Sequence, residues 1–173
     1  MTVVWHAAMT AAAVLLIASA VSHSRDWKLM LSSLLKHGVL PYKVARRLAR
    51  MFASIEFLLA LLVGSSVAFP GILPSYVAGG AAAVFFGSMT AYLAAVVVRR
   101  GEATCNCFGT DQPLNWMTVV RAALLMGAAV GYSFAGSATV SAARGQGFLI
   151  GIAVAAALVF LPNVRSGPAR GVA

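Results

Sequence analysis

Charge is what this chain has least of. Thirteen Lys and Arg and four Asp and Glu make up 10% of 173 residues, where a soluble domain carries about 25%. So few charges cannot coat a water-facing surface. With 61% hydrophobic residues and a mean hydropathy of +0.89, the surface suits a lipid bilayer. Cysteine is scarce too, and two residues exclude a disulfide framework. There is no internal repeat and no pair of broken apolar segments, which argues against a transporter of the inverted-repeat kind. A net charge of +9 in a soluble protein would suggest nucleic acid. Here the cations flank apolar runs, so membrane orientation and attraction to anionic lipid account for them, and no nucleic-acid partner is expected.

What is present is a series of long apolar runs: Val3–Val21, Met51–Phe69, Ser75–Val98, Trp116–Phe134 and Gly147–Leu161. The first four approach the roughly 20 residues that a bilayer-spanning helix needs. The fifth covers about 22 Å at the helical rise; it is extended through Ala138–Ala143, with Arg144 snorkelling to the surface and Pro162 closing it. The "ASA" at 18–20 resembles a signal-peptide cleavage site, but no basic segment precedes the first run, and it reads as a retained helix. Between the first two runs, "SRDWKLMLSSLLKHGVL" puts Trp27, Met30, Leu31, Leu34 and Leu35 at helical spacing, with Lys28, Ser32 and Lys36 between them. That pattern predicts an amphipathic helix along the membrane interface, ended by Pro41. "YKVARRLAR" then starts a helix feeding into the second span, and "FPGILP" (69–74) is a tight reversal. The predicted fold class is all-α: a polytopic membrane helical bundle of four to five transmembrane helices plus an interfacial amphipathic helix. It forms one domain over residues 1–162, with a flexible tail at 163–173. Abundant Ala and 16 Gly suit close helix contact in lipid.

Counting spans fixes which residues share a face. Let X be the side where the first span ends. The second span starts on X, the third ends on X and the fourth leaves from X. The amphipathic connection and the loop "EATCNCFGTDQP" (102–113) therefore lie on X, with both cysteines, Cys105 and Cys107. Two ionisable residues sit inside spans at similar shallow depth on that side. Glu56 is about 9 Å of helical rise beyond Arg50, and Arg121 is about 7.5 Å beyond Trp116. A charge at mid-membrane costs at least about 2.5–3.5 kcal/mol and usually pairs, faces the bundle interior and marks a functional site. A Glu56–Arg121 pair beneath the cysteines is predicted; the alternative is that Arg121 snorkels to lipid phosphate and Glu56 is protonated.

Side X carries Arg25, Lys28, Lys36, Lys43, Arg46, Arg47, Arg50, Arg99, Arg100, Arg165 and Arg170, and the opposite side only Arg144. The positive-inside rule then makes X cytoplasmic and puts the N-terminus outside.

Disulfide exchange needs an accessible thiolate. Arg99 and Arg100 before the cysteines, and the N-terminus of the fourth span after them, favour that form. An internal disulfide across one intervening residue is a strained, oxidising ring, and a mixed disulfide with a partner is the alternative. Two plain buried thiols or a soft Cu(I) site are competing readings of Cys-x-Cys. Zinc needs two more ligands, and His23 and His37, the candidates on this side, read as interfacial polar residues. No metal site is predicted.

"CNCFG" after the third span resembles the C-x-C-F-G signature of the MauE family of membrane proteins, related to DoxX. The segments "SAVSHSRDWKLMLSSLLKHGVLP", "RRLARMFASIEFLLALLVG" and "NWMTVVRAALL" match in order, with an acidic residue early in span two and an arginine early in span four. The resemblance covers about residues 5–135. One departure is Ser22-His23-Ser24, where members often have a lysine. The resemblance implies a thiol–disulfide redox protein that supports maturation of a disulfide-rich client, in the family methylamine dehydrogenase, with a thioredoxin-like partner. It would make Cys105 and Cys107 the exchanging thiols, a possible oxidoreductase pair, with Glu56 and Arg121 in support. A quinone is the alternative redox partner. Gly79, Gly80 and Gly87 in span three leave room for such an apolar cofactor or serve as packing positions. The alternative function is a non-catalytic membrane scaffold or accessory subunit that docks a partner on its basic connection. Disulfide chemistry belongs outside the cytoplasm, whereas the cations place the cysteines inside, and the two expectations conflict.

Overall fold

The computed structural model describes residues 2–69, 73–100, 103–105, 112–135, 146–147 and 149–154. The first helix, α1 (Thr2–Arg25), leads through Asp26 into the short α2 (Trp27–His37). Asp26 caps α2 by accepting from the Leu29 N–H, so the first orphan donors of the helix are satisfied. Gly38 ends α2 in the left-handed conformation (φ 64°) and donates its N–H to the Leu35 carbonyl. A side chain would strain that position, so glycine is the natural stop. Pro41, with no N–H to lose, then opens α3 (Tyr42–Ala68). The helices α4 (Ser75–Arg100) and α5 (Trp116–Ala135) follow.

Four helices, α1, α3, α4 and α5, are long and apolar enough to cross a membrane, and the chain is a multi-pass membrane protein. The spanning helices pack α1 on α3, α3 on α4, α4 on α5 and α5 on α1. They close a four-cornered bundle in which each helix runs antiparallel to both neighbours. Its centre holds Met9, Leu16, Leu59, Val63, Phe86 and Tyr132. Leu58, Val84, Leu124 and Phe134 point outward, as lipid-facing side chains do. Close approach depends on small residues: a Cβ on Gly79 would collide with Ser133 Oγ and lie 2.8 Å from the Ala129 carbonyl, and one on Gly87 would lie 3.2 Å from Met126 Sδ. Both glycines are packing positions between α4 and α5, while Gly80 has nothing within 4 Å.

The segment at 146–147 and 149–154 is helical and lies along α1, with Gly147 against Val3 and His6 and Gly151 against Ala7 and Thr10. It falls on the fifth apolar run. Arg144, Pro162 and the tail from 163 lie outside the described residues.

One element was not anticipated. The cysteine loop is not irregular throughout, since β1 (Ala103–Cys105) pairs antiparallel with β2 (Gln112–Leu114), Cys105 standing opposite Gln112. The segment's polar, Gly-containing sequence signalled a turn but was too short to show strand alternation.

Candidate functional site

The X end of the bundle gathers the elements that carry chemistry. The amphipathic α2 docks through Leu34 onto Ala45 and Ala49 of α3, with Met30 and Leu31 beside it. Arg50 stands over the Trp27 ring, 5.2 Å from its centroid, a cation–π contact that ties the two helices together. The hairpin packs on this platform, β1 touching both α2 and α4. Leu114, at the end of β2, is buried among Leu93, Val96 and Val97 of α4 and Val119 of α5. Cys105 closes β1 at the backbone level. Cys107 lies outside the described residues.

Glu56 is buried, at 4% exposure, and so is His23. Ser19 Oγ donates to Glu56 Oε1 at 2.7 Å, and His23 Nδ1 lies 2.8 Å from Oε2. Ser19 and His23 are four residues apart on α1 and present one face to α3, the spacing at which helical side chains are neighbours. Phe52 meets the imidazole edge-on at 5.4 Å, and Phe85 packs against Phe52 at 5.7 Å. With Glu56 ionised, a carboxylate only accepts, so Nδ1–H is the donor to Oε2. The arrangement is a carboxylate-oriented imidazole in an apolar, aromatic wall. Such a group can hold or pass a proton.

The expected Glu56–Arg121 pair is not formed. Among the described residues Glu56 is paired with His23, a salt bridge when the imidazole is protonated, and Arg121 is exposed on α5. The reason is the facing of the side chains: Arg121 lies on the exposed side of α5, while α1, packed on α3, presents Ser19 and His23 to the buried carboxylate. The histidine was passed over because the first run was ended at its last apolar residue, Val21. In fact α1 continues a further turn to Arg25 and carries His23 inside the bundle. The signal available was the Ser19/His23 spacing opposite a lone in-span acid.

His37 is also buried, its Nδ1 2.8 Å from the Tyr92 hydroxyl, and helps fix the end of α2 to α4. Both His23 and His37 are buried by protein rather than exposed at the surface. Among the described residues no group of three or more His, Cys, Asp or Glu side chains could hold a metal ion.

No curated protein matches the chain, and no solved structure does. A family model matches residues 1–135, which covers all five described helices from α1 to α5 and the hairpin. By that match the chain belongs to the MauE family, described as methylamine utilisation protein MauE.

Proposed function

We propose that the chain is a membrane thiol–disulfide redox protein that serves a partner in methylamine utilisation, with Cys105 and Cys107 as the exchanging pair. The observation that carries this reading is the hairpin. The protein's two thiols belong to a segment whose β1 strand, ending at Cys105, is pinned by β2 and packed on α2 and α4 at one membrane face. A redox pair that meets protein partners needs a located backbone at the membrane face. In exchange, the thiolate of one cysteine attacks a disulfide to give a mixed disulfide, and the second cysteine resolves it. One dithiol is then oxidised as the other disulfide is reduced. A thioredoxin-like protein is the fitting partner class, and a quinone the alternative electron acceptor.

The other site residues take supporting roles. Glu56, through His23, supplies a proton-exchanging group at the same end of the bundle. Arg121, exposed on the second turn of α5, adds positive charge to a helix N-terminus that follows β2 directly, and both favour thiolate.

The test is trapping in cells grown on methylamine. Cys105→Ser and Cys107→Ser are made singly, and mixed disulfides are sought by non-reducing electrophoresis. One single variant is expected to accumulate an adduct that a reductant releases, and the double variant to lose it together with methylamine dehydrogenase maturation. Full maturation with Cys105→Ser/Cys107→Ser would overturn the redox reading in favour of a non-catalytic scaffold.

A further inference from the structure

The outer face of α3 changes character once along its length. Lys43, Arg46, Arg47 and Arg50, at i, i+3, i+4 and i+7, are exposed and line one open groove with Met51 at its lower end. This spacing puts all four cations on one side of the helix, over about 10 Å of rise. Below them the exposed lane continues as Met51, Ile55, Leu58 and Leu61. The apolar part of the helix, Met51 to Ala68, is about 27 Å long, close to the roughly 30 Å of a bilayer's hydrocarbon core. Met51 therefore marks the hydrocarbon boundary, and the four cations stand in the headgroup layer, where lipid phosphates lie.

Among the described residues no carboxylate pairs with them. Among the described residues the acids are Asp26, which caps α2, and Glu56, which is held by Ser19 and His23. Arg50 is also fixed over Trp27, so one arm of the groove is positioned in advance. Cations above and an apolar lane below, on one helix face, match the two ends of a single amphiphile.

We infer that the α3 groove is a binding site for an anionic phospholipid, its phosphate on Lys43, Arg46, Arg47 and Arg50 and an acyl chain along Met51, Ile55 and Leu58. An acidic protein surface would be attracted by the cations but has no use for the apolar lane, which lies within the hydrocarbon.

The test uses the full chain in nanodiscs of phosphatidylcholine containing a minor fraction of phosphatidylglycerol, with retained lipid counted by native mass spectrometry. Phosphatidylglycerol is expected to be enriched over its bulk fraction, and Lys43→Gln/Arg46→Gln/Arg47→Gln to reduce that enrichment by about tenfold or more. Arg46→Lys/Arg47→Lys, which keeps the charge, retains it. Lys28→Gln/Lys36→Gln removes exposed charge from α2 on the same face and leaves enrichment within about twofold, because diffuse attraction is not a site. Should the triple variant not fold, Arg46→Gln and Arg47→Gln singly are expected to lower enrichment in graded steps. Soluble glycerophosphate in excess leaves the lipid bound. Equal retention of the two lipids by the wild type, or equal loss from the α2 variant, overturns the proposal. So does an acidic protein captured through the stripe without phosphatidylglycerol enrichment.

Discussion

A carboxylate in the hydrocarbon layer keeps its charge only where donors reach its oxygens, and Glu56 has Ser19 on one and His23 on the other. Two magnitudes bear on what this arrangement contributes. A hydrogen bond between membrane helices averages about 0.6 kcal/mol, whereas stripping the partner from a buried ion costs about 3–5 kcal/mol. His23→Ala is expected to fall in the second range, about 3 kcal/mol, because Oε2 is left with no donor in an apolar wall. His23→Ala/Glu56→Ala recovers much of that loss, since the uncompensated charge is gone. Denaturation in bicelles, run as a double-mutant cycle, measures the coupling. A value below about 0.6 kcal/mol would show two neutral neighbours rather than a pair. Glu56 was legible in the sequence as a lone acid within a span. Its partner was not, because apolarity marks where lipid contact ends and says nothing of how far the helix continues inside the bundle.

The helices touch where side chains are missing, and α4 offers a matched comparison. A methyl on Gly79 would collide with Ser133 Oγ and the Ala129 carbonyl, and Ser133 already donates to that carbonyl at 2.9 Å. Gly79→Ala must push α4 from α5 or break that bond, at about 1–3 kcal/mol. Gly80→Ala, one residue on with open space around it, is expected to be neutral or to gain up to about 1 kcal/mol from helix propensity. Thermal unfolding in detergent distinguishes the two, and equal effects would mean that α4 and α5 do not meet as described. The elements themselves were readable: the span starts at Ser75 and Trp116, the helix from Tyr42 feeding the second span, and an amphipathic helix ahead of Pro41, although α2 stops short of that proline, at His37 with Gly38 as its cap. Long apolar runs and caps are local signals. Which helix faces which is a property of the closed bundle, so the different facing of Glu56 and Arg121 could not be counted out along the chain. The hairpin escaped for a different reason, since three-residue strands carry too few side chains for a period.

Among the described residues, apart from the His37–Tyr92 contact that ties α2 to α4, the buried side-chain hydrogen bonds form two separate clusters. Ser19, His23 and Glu56 sit toward the X end; toward the other, Ser66 Oγ lies 3.1 Å from the Tyr132 hydroxyl, with His6 edge-on to the Tyr132 ring at 5.4 Å. Between them α1 contributes Ala12, Ala13 and Leu16, and α3 contributes Leu59, Ala60 and Val63, all buried. Among the described residues no polar chain joins the clusters. On the redox reading, the compartment that X faces decides which partners the cysteines meet. The excess of cations on X, eleven against one opposite, predicts that X faces the cytoplasm. Because Cys105 and Cys107 are the protein's two thiols, maleimide labelling reports their side without background. In intact, reduced cells a membrane-impermeant maleimide is expected to leave the protein unmodified while a permeant one labels it, and permeabilisation opens it to both. Labelling of intact cells by the impermeant reagent would reverse the orientation. The cation stripe of α3 would then face the outer leaflet, and the hairpin would work among extracytoplasmic disulfides.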